Sequence, residues 1–223
     1  MGHSRVTEPL VQSMTSQLII RFRERILAGT YAPGSALRQD ALATEFGTSK
    51  IPVREALVQL QSEGLVDIFP NRGFQVRPLA AAELDEVFKL RLQIEPAAVA
   101  LGARLATTDD HTAAGTALNR LTGAIAAGEF SQSGQLNRAF HLQLVVPRLQ
   151  PVAAEILSRL HTLAQRYVQA HLQPEGRAKR ASREHAALLK AWKLGKSREV
   201  RLLIHAHIKS THQDLMRMGE GSA

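Results

Sequence analysis

The side chains in this sequence with the clearest capacity for metal chemistry are histidines. Asn137 and His141 lie four residues apart, the spacing that places two side chains on one face of an α-helix. His185 and His207 fall in two later helical segments. His205 and His207 are separated by about 200° around a helix, so only one of them can share an interior with His141. Three imidazoles and an amide oxygen drawn from three helices would suit a divalent transition metal such as zinc or nickel. The chain has nine histidines, so chance groupings are expected, and spacing alone leaves open a set of surface or core histidines.

A second group of residues carries a different chemistry. Lys50 and Arg54, again four apart, follow Ser49 and project away from an apolar stripe at Val53 and Leu57. The planar fork of Arg54 can grip guanine O6 and N7. Ser49 and Lys50 can reach phosphates, and a helix N-terminus at this point favours an anion. Asn71, Arg72 and Gly73 form a turn whose arginine can follow a minor groove or a backbone. Singly, such residues are ordinary solvated surface. Their common placement on one motif points to duplex DNA.

That motif is set by short-range patterning. Leu18, Ile19, Phe22, Ile26 and Leu27 predict an amphipathic helix closed by Ala28-Gly29. A short helix over Gln39 to Phe46 ends at Gly47, where a left-handed residue is needed. The next helix has Ser49 as candidate N-cap, Pro52 in its first turn, and Gly64 as its stop. Val66 and Ile68, the turn Pro70 to Gly73, then Phe74 and Val76 predict a β-hairpin. Helix-turn-helix followed by hairpin is a winged helix-turn-helix. Pro78 marks the boundary of this first domain, residues 1–78.

Residues 79–223 carry helical periodicity and no strand signal. They predict an all-α bundle of six or seven helices, at about 82–106 with an interruption around Pro96, 109–128, 131–146, 151–172, 178–194 and 197–217. The fold class is therefore mainly α: three helices and a small hairpin, then the bundle.

Composition removes other classes. There is no cysteine, which excludes a disulfide scaffold, thiolate catalysis and a cysteine zinc finger. No apolar run approaches the roughly 18–20 residues of a membrane span, and no signal-like segment opens the chain, so a cytoplasmic protein without a membrane partner is expected. The net charge of +8 suits an anionic partner. It is poorly placed for DNA, however: residues 1–78 hold 9 basic and 7 acidic groups, a net of +2, and 79–223 hold 19 and 13, a net of +6.

The run "PGSALRQDALATEFGTSKIPVREALVQLQSEGLV" followed by "NRGFQV" resembles the DNA-binding head of the GntR family of bacterial transcriptional regulators. The segments "ELDEVFKLRLQIEPAAVALGARLAT", "NRAFHLQL" and "REHAALLKAWKLGKSREVRLLIHAHI" resemble the FadR-type C-terminal (FCD) ligand-binding domain of one large subfamily. The resemblance implies a homodimer on a short palindromic operator, and a repressor is the expected sign. It also implies a metal set of Asn137, His141, His185 and His207, with Asn137 standing where an Asp is usual and so bringing no charge. Arg91 falls at the position of an effector-binding arginine and implies a small carboxylate ligand; an ion pair of Arg91 with Glu95 at i+4 is the alternative. Lys50 stands where the family commonly has Arg. Asp40 stands where many members have a DNA-contacting Arg, for which Arg38 can substitute. Trp192 belongs either to the cavity lining or to the core.

Two other functions remain open at this level. A metal-dependent hydrolytic enzyme would need a general base beside the metal. The nearest, Glu184, is about 100° from His185 around the helix, and no HExxH or nucleophile-elbow pattern occurs. A constitutive DNA-binding protein with no effector would leave the bundle empty.

Overall fold

A computed structural model describes residues 13–70, 72–171 and 177–220. α1 (Met14–Leu27) begins at Ser13, whose hydroxyl accepts from the Ser16 amide at 3.1 Å, and buries Leu18, Phe22, Ile26 and Leu27. α2 (Gln39–Glu45) and α3 (Lys50–Ser62) are joined through Gly47 at φ 61°, which lets the Thr48 amide close back onto Ala43. Ser49 occupies the N-cap position of α3, but its side chain makes no capping hydrogen bond. The capping expectation is thus met in position and not in chemistry.

The sheet has one more strand than the pattern predicts. β1 (Ala36–Leu37) pairs antiparallel with β3 (Gly73–Val76), and β3 with β2 (Val66–Phe69), giving the order β1-β3-β2. Two residues are too few to show alternation, and Leu37 is identifiable as strand only through its partner Phe74. Val66, Phe74 and Val76 join the core of the head, whereas Ile68 and Phe69 near the hairpin tip are exposed.

The second unit contains, among the described residues, six α-helices: α4 (Ala81–Leu105), α5 (Thr108–Ala126), α6 (Phe130–Val145), α7 (Pro151–His171), α8 (Arg177–Lys193) and α9 (Ser197–Glu220), with a 3₁₀ turn at Val146–Arg148. The interruption expected at Pro96 does not occur. Pro96 is buried inside a continuous α4, and α9 packs along that helix extensively, so tertiary contact overrides the lost backbone hydrogen bond. α5 starts with a reciprocal capping box between Thr107 and Asp110, to which Arg148 also donates.

The core of this unit centres on Phe88, Phe140, Leu144, Leu157, Leu188 and Trp192. Trp192 is 1% exposed and donates to the Leu144 carbonyl at 3.2 Å, which places it in the core and not in a cavity wall. Gly102 of α4 is required at this spot: a Cβ there would sit 2.2 Å from the same carbonyl oxygen.

The two units meet through α7. Residues 77–80 connect β3 to α4. Arg166 is buried; its Nη2 donates to the carbonyls of Arg77 and Pro78, and its Nη1 to Glu83 at 3.3 Å. The Tyr167 hydroxyl donates to Glu83 at 2.7 Å and accepts from the Ala80 amide at 3.3 Å. Burial, reinforced by the Glu83 carboxylate, pushes its pKa up to about 12.

Candidate metal centre and nucleic-acid interface

α6, α8 and α9 bring three imidazoles into one buried cluster. The ring centroids of His141, His185 and His207 lie 4.6 to 5.1 Å apart. One ligand nitrogen from each falls within 4.8 Å of the others. His205, on the same helix as His207, is exposed, as the angular argument requires. Asn137 lines the same cavity as His141 and His207, one turn before His141.

His185 Nε2 and His207 Nε2 are 3.2 Å apart, close to the edge of about 3.3 Å expected for a tetrahedron with metal–nitrogen bonds of about 2.0 Å. Both ring nitrogens of His141 and Nδ1 of His185 are buried without a hydrogen-bond partner. Burial pushes His141 down to about 3, only partly opposed by Glu95, and holds His185 well below the ordinary histidine range with help from the charge of its neighbours. Neutral imidazoles with free lone pairs are what a divalent metal needs. The residues fit.

Carboxylates behind the cluster fix ring orientation. Glu184 Oε2 accepts from His207 Nδ1 at 2.7 Å, so in the neutral ring the Nε2 lone pair faces the cluster, toward His185. Glu184 is ionised: burial raises its pKa, but the His207 hydrogen bond and charge and the Arg180 charge outweigh it. Glu95 is fully buried between Arg91, His141 and His161. Burial would raise its pKa, yet the Arg91 charge and the two imidazoles hold it well below the carboxylate range. Its oxygens lie 3.4 Å from His141 Nδ1 and 3.2 Å from His161 Nε2, at angles short of full hydrogen bonds. Arg91 therefore supplies the one full positive charge against it.

Arg91 stands in the wall of the histidine cavity, as expected of an effector-binding arginine, but its fork is already closed on Glu95 at 2.8 and 3.2 Å. The i, i+4 pair is thus present, buried and not on the surface. The free volume of the cavity is about 10 Å³, comparable to one water molecule. It admits an ion; an organic acid would require the cavity to widen.

In the head, α3 exposes Lys50, Ile51 and Arg54 at its N-terminal end. Arg54 makes no ion pair among the described residues. Lys50 pairs with Asp40, so part of its charge is answered within the head. This pair sets Asp40, and Arg38 two residues before it at the N-cap of α2, beside the start of α3. The exposed Ser49 completes that edge. Arg72 and Gly73 lie at the hairpin tip, with Gly73 at φ 83° and the Arg72 amide bonded to Phe69. Asn71 lies outside the described residues.

Sequence reasoning missed Glu95 and His161 as members of the buried site and Glu184 as the partner of His207. Glu95 was legible only as an i+4 partner. Glu184 carried a signal in its adjacency to His185, but the helix it serves is α9.

Comparison with known proteins places this architecture. Residues 14–76 match the family "Bacterial regulatory proteins, gntR family" and residues 86–210 the "FCD domain". The chain is 33% identical over 130 residues to the "Uncharacterized HTH-type transcriptional regulator YdhC" of Bacillus subtilis, spanning 58% of either chain. It is 30% identical over 148 residues to the HTH-type transcriptional regulator McbR of Escherichia coli, 66% of this chain and 67% of that one. It is 28% identical over 146 residues to the E. coli HTH-type transcriptional repressor GlaR, covering 64% and 66%. The solved structure of E. coli McbR superposes with a TM-score of 0.82 at 25% identity, over 93% of this chain and 99% of that one.

Proposed function

The chain belongs to the GntR family of DNA-binding bacterial transcriptional regulators, with an FCD domain as its second unit, and we propose that it is a repressor whose operator affinity is set by a divalent metal and a small carboxylate held in the helical bundle. It acts in the cytoplasm as a homodimer. Two heads present α3 to successive major-groove faces of a palindromic operator, with half-sites about one helical turn apart. Arg54 reads a base edge, and Arg38, Ser49, Lys50, Asn71, Arg72 and Gly73 position the head on the backbone and minor groove. The exposure and free charge of Arg54 support this assignment.

The metal reading rests on one observation: three buried imidazoles from three helices converge, with a ligand nitrogen of each within 4.8 Å of the others and both nitrogens of His141 unpartnered. His141, His185 and His207 would hold the ion, with Asn137 as a neutral oxygen donor. Zinc or nickel bound there supplies a Lewis-acidic anchor for a carboxylate oxygen. Arg91 would take the same carboxylate by exchanging Glu95 for it, leaving Glu95 to His141 and His161. That exchange, with the widening it demands, bears on α4, which continues directly from the linker gripped by Arg166 and Tyr167. An effector that prefers the widened state shifts the spacing of the heads by its differential affinity.

Membership of a regulator family sets aside the hydrolytic alternative. The geometry agrees with that, because Glu184, the available general base, is committed to His207.

Titrating the purified protein with zinc and nickel against a chromophoric chelator tests the centre. One ion per chain is expected, with operator affinity in a gel-shift assay changing at least about fivefold between metal-loaded and metal-free protein. Substoichiometric uptake would sink the metal reading; stoichiometric uptake with unchanged operator affinity would sink the regulatory one.

A further inference from the structure

A second cavity lies where the head meets the bundle. Arg23 and Leu27 of α1 wall it on one side, and Gln135 and Arg138 of α6 with Gln165 of α7 on the other. Its volume is about 160 Å³, against about 10 Å³ for the histidine cavity. Arg138 immediately follows Asn137, and about 100° around α6 turns it from the histidine cluster toward the head.

Two of the polar groups here, Arg138 and Gln165, have no side-chain partner among the described residues. Arg138 Nε is buried without a hydrogen-bond partner, and its guanidinium makes no ion pair among the described residues. Burial lowers its pKa and the Arg23 charge lowers it further, with Glu63 giving partial relief. Three other arginines withdrawn from solvent differ: Arg91 has Glu95, Arg166 has Glu83, and Arg23 holds Glu63 at 2.7 and 2.8 Å. Glu63 is therefore taken. Glu24, on the cavity rim, is exposed, and its charge bears on Arg23. Gln165 is only 4% exposed and has no hydrogen-bond partner among the described residues. A half-buried guanidinium whose Nε has no partner, beside a buried glutamine, lines a cavity with room for a small molecule, and such groups suit an acceptor.

We propose that this junction cavity binds a small oxyanion, a phosphate or a carboxylate, held by Arg138 and Arg23 with Gln165 and Gln135 as amide donors. The bound anion bridges α1 of the head to α6 and α7 of the bundle and relieves the repulsion between the two arginines. It thereby favours the docked arrangement of head and bundle over any in which they separate. This is an input separate from the metal centre.

The test uses the full chain in thermal-shift and calorimetric titrations with inorganic phosphate and, in a parallel arm, succinate. Sodium chloride at matched ionic strength corrects for screening. A saturable rise in Tm with phosphate or with succinate is expected, and the responding arm identifies the source of the oxyanion. Arg138→Gln should weaken binding at least tenfold, and Gln165→Leu should weaken it in the same direction should Arg138→Gln fail to fold. His185→Ala, which removes a residue of the metal cluster, should leave it unchanged. No response beyond chloride, an undiminished response in the folded junction variants, or a response lost in His185→Ala would each overturn the proposal. None of these outcomes depends on whether metal binds the histidines.

Discussion

The head and the bundle keep their functional groups in opposite environments. Arg54, Lys50, Ser49 and Arg38 stand in solvent on a small core made by residues that are near neighbours in sequence. His141, His185, His207, Arg91 and Glu95 are buried and come from four different helices. A DNA reader must be exposed, because its ligand is larger than itself. A receptor for an ion must be closed, because a neutral imidazole and a strong Coulomb interaction both require exclusion of water. The same contrast separates their tolerance to change: the head's site can be altered without touching its core, and the bundle's site is part of its core.

The sharpest way to break the comparison is at Gly102. Gly102→Ala drives a methyl group into the Leu144 carbonyl and should destabilise the bundle by about 3 kcal/mol. Trp192 is the only tryptophan and lies in the core of the bundle, so its fluorescence reports that unit specifically. A shift of the tryptophan transition with operator binding retained at low temperature is the expected pair of results; an unshifted transition would mean that the packing at α4 yields easily.

His185→Ala comes next in size. It should lower metal affinity at least about a hundredfold, roughly 2.7 kcal/mol, while metal-free operator binding stays near wild type. Equal losses in both assays would show that the two units are not separable.

Arg54→Ala should weaken operator binding by about 1–3 kcal/mol and relax sequence preference at one position of each half-site. Measured on a panel of operator variants, a uniform loss would instead assign Arg54 to the backbone. Lys50→Ala should cost less, about 0.5 kcal/mol or under, because an exposed lysine already paired with Asp40 gives up little. An effect as large as that of Arg54→Ala would show that Asp40 releases it on DNA.

Acidity discriminates between the units without mutation. The described part of the head contains no histidine, whereas the bundle buries His141, His161 and His185, all with pKa lowered chiefly by burial. Unfolded imidazoles take up protons near pH 6.5, and His141 in the folded chain does so only near about 3. Between those values the unfolded chain binds more protons, so bundle stability is full above about pH 6.5 and declines as pH falls through that window. Glu95, depressed when folded, adds loss of the same sign below the ordinary carboxylate range. The tryptophan transition of metal-free protein should therefore move down steadily from pH 7 to pH 4. A flat profile would mean that the imidazoles are hydrated.

Much of this molecule could be read before folding. Helix limits, the Gly47 turn and the hairpin follow from contacts within a few residues, where apolar spacing and glycine act directly. The exposed set on α3 followed for the same reason. β1 escaped because a strand of two residues exists only through β3, and the unbroken helix at Pro96 because α9 supports it from outside. At the buried site, the residue types were legible and the pairings were not. Arg91 was assignable to a ligand or to Glu95, and only packing, which buries both side chains, shows the pair closed.

By itself, then, the sequence determined a winged helix-turn-helix ahead of a helical bundle, the exposed residues at the start of α3, and which of His205 and His207 could face inward together with His141. These are consequences of local periodicity, which one helix or hairpin imposes on its own residues. The tertiary structure alone decided that Glu184 orients His207, that Glu95 joins Arg91 to two histidines, and that Arg138 forms no ion pair among the described residues where head meets bundle. Those relations join helices tens of residues apart. Low dielectric and close packing act on whatever has been brought together, and proximity of that kind is set by the whole fold.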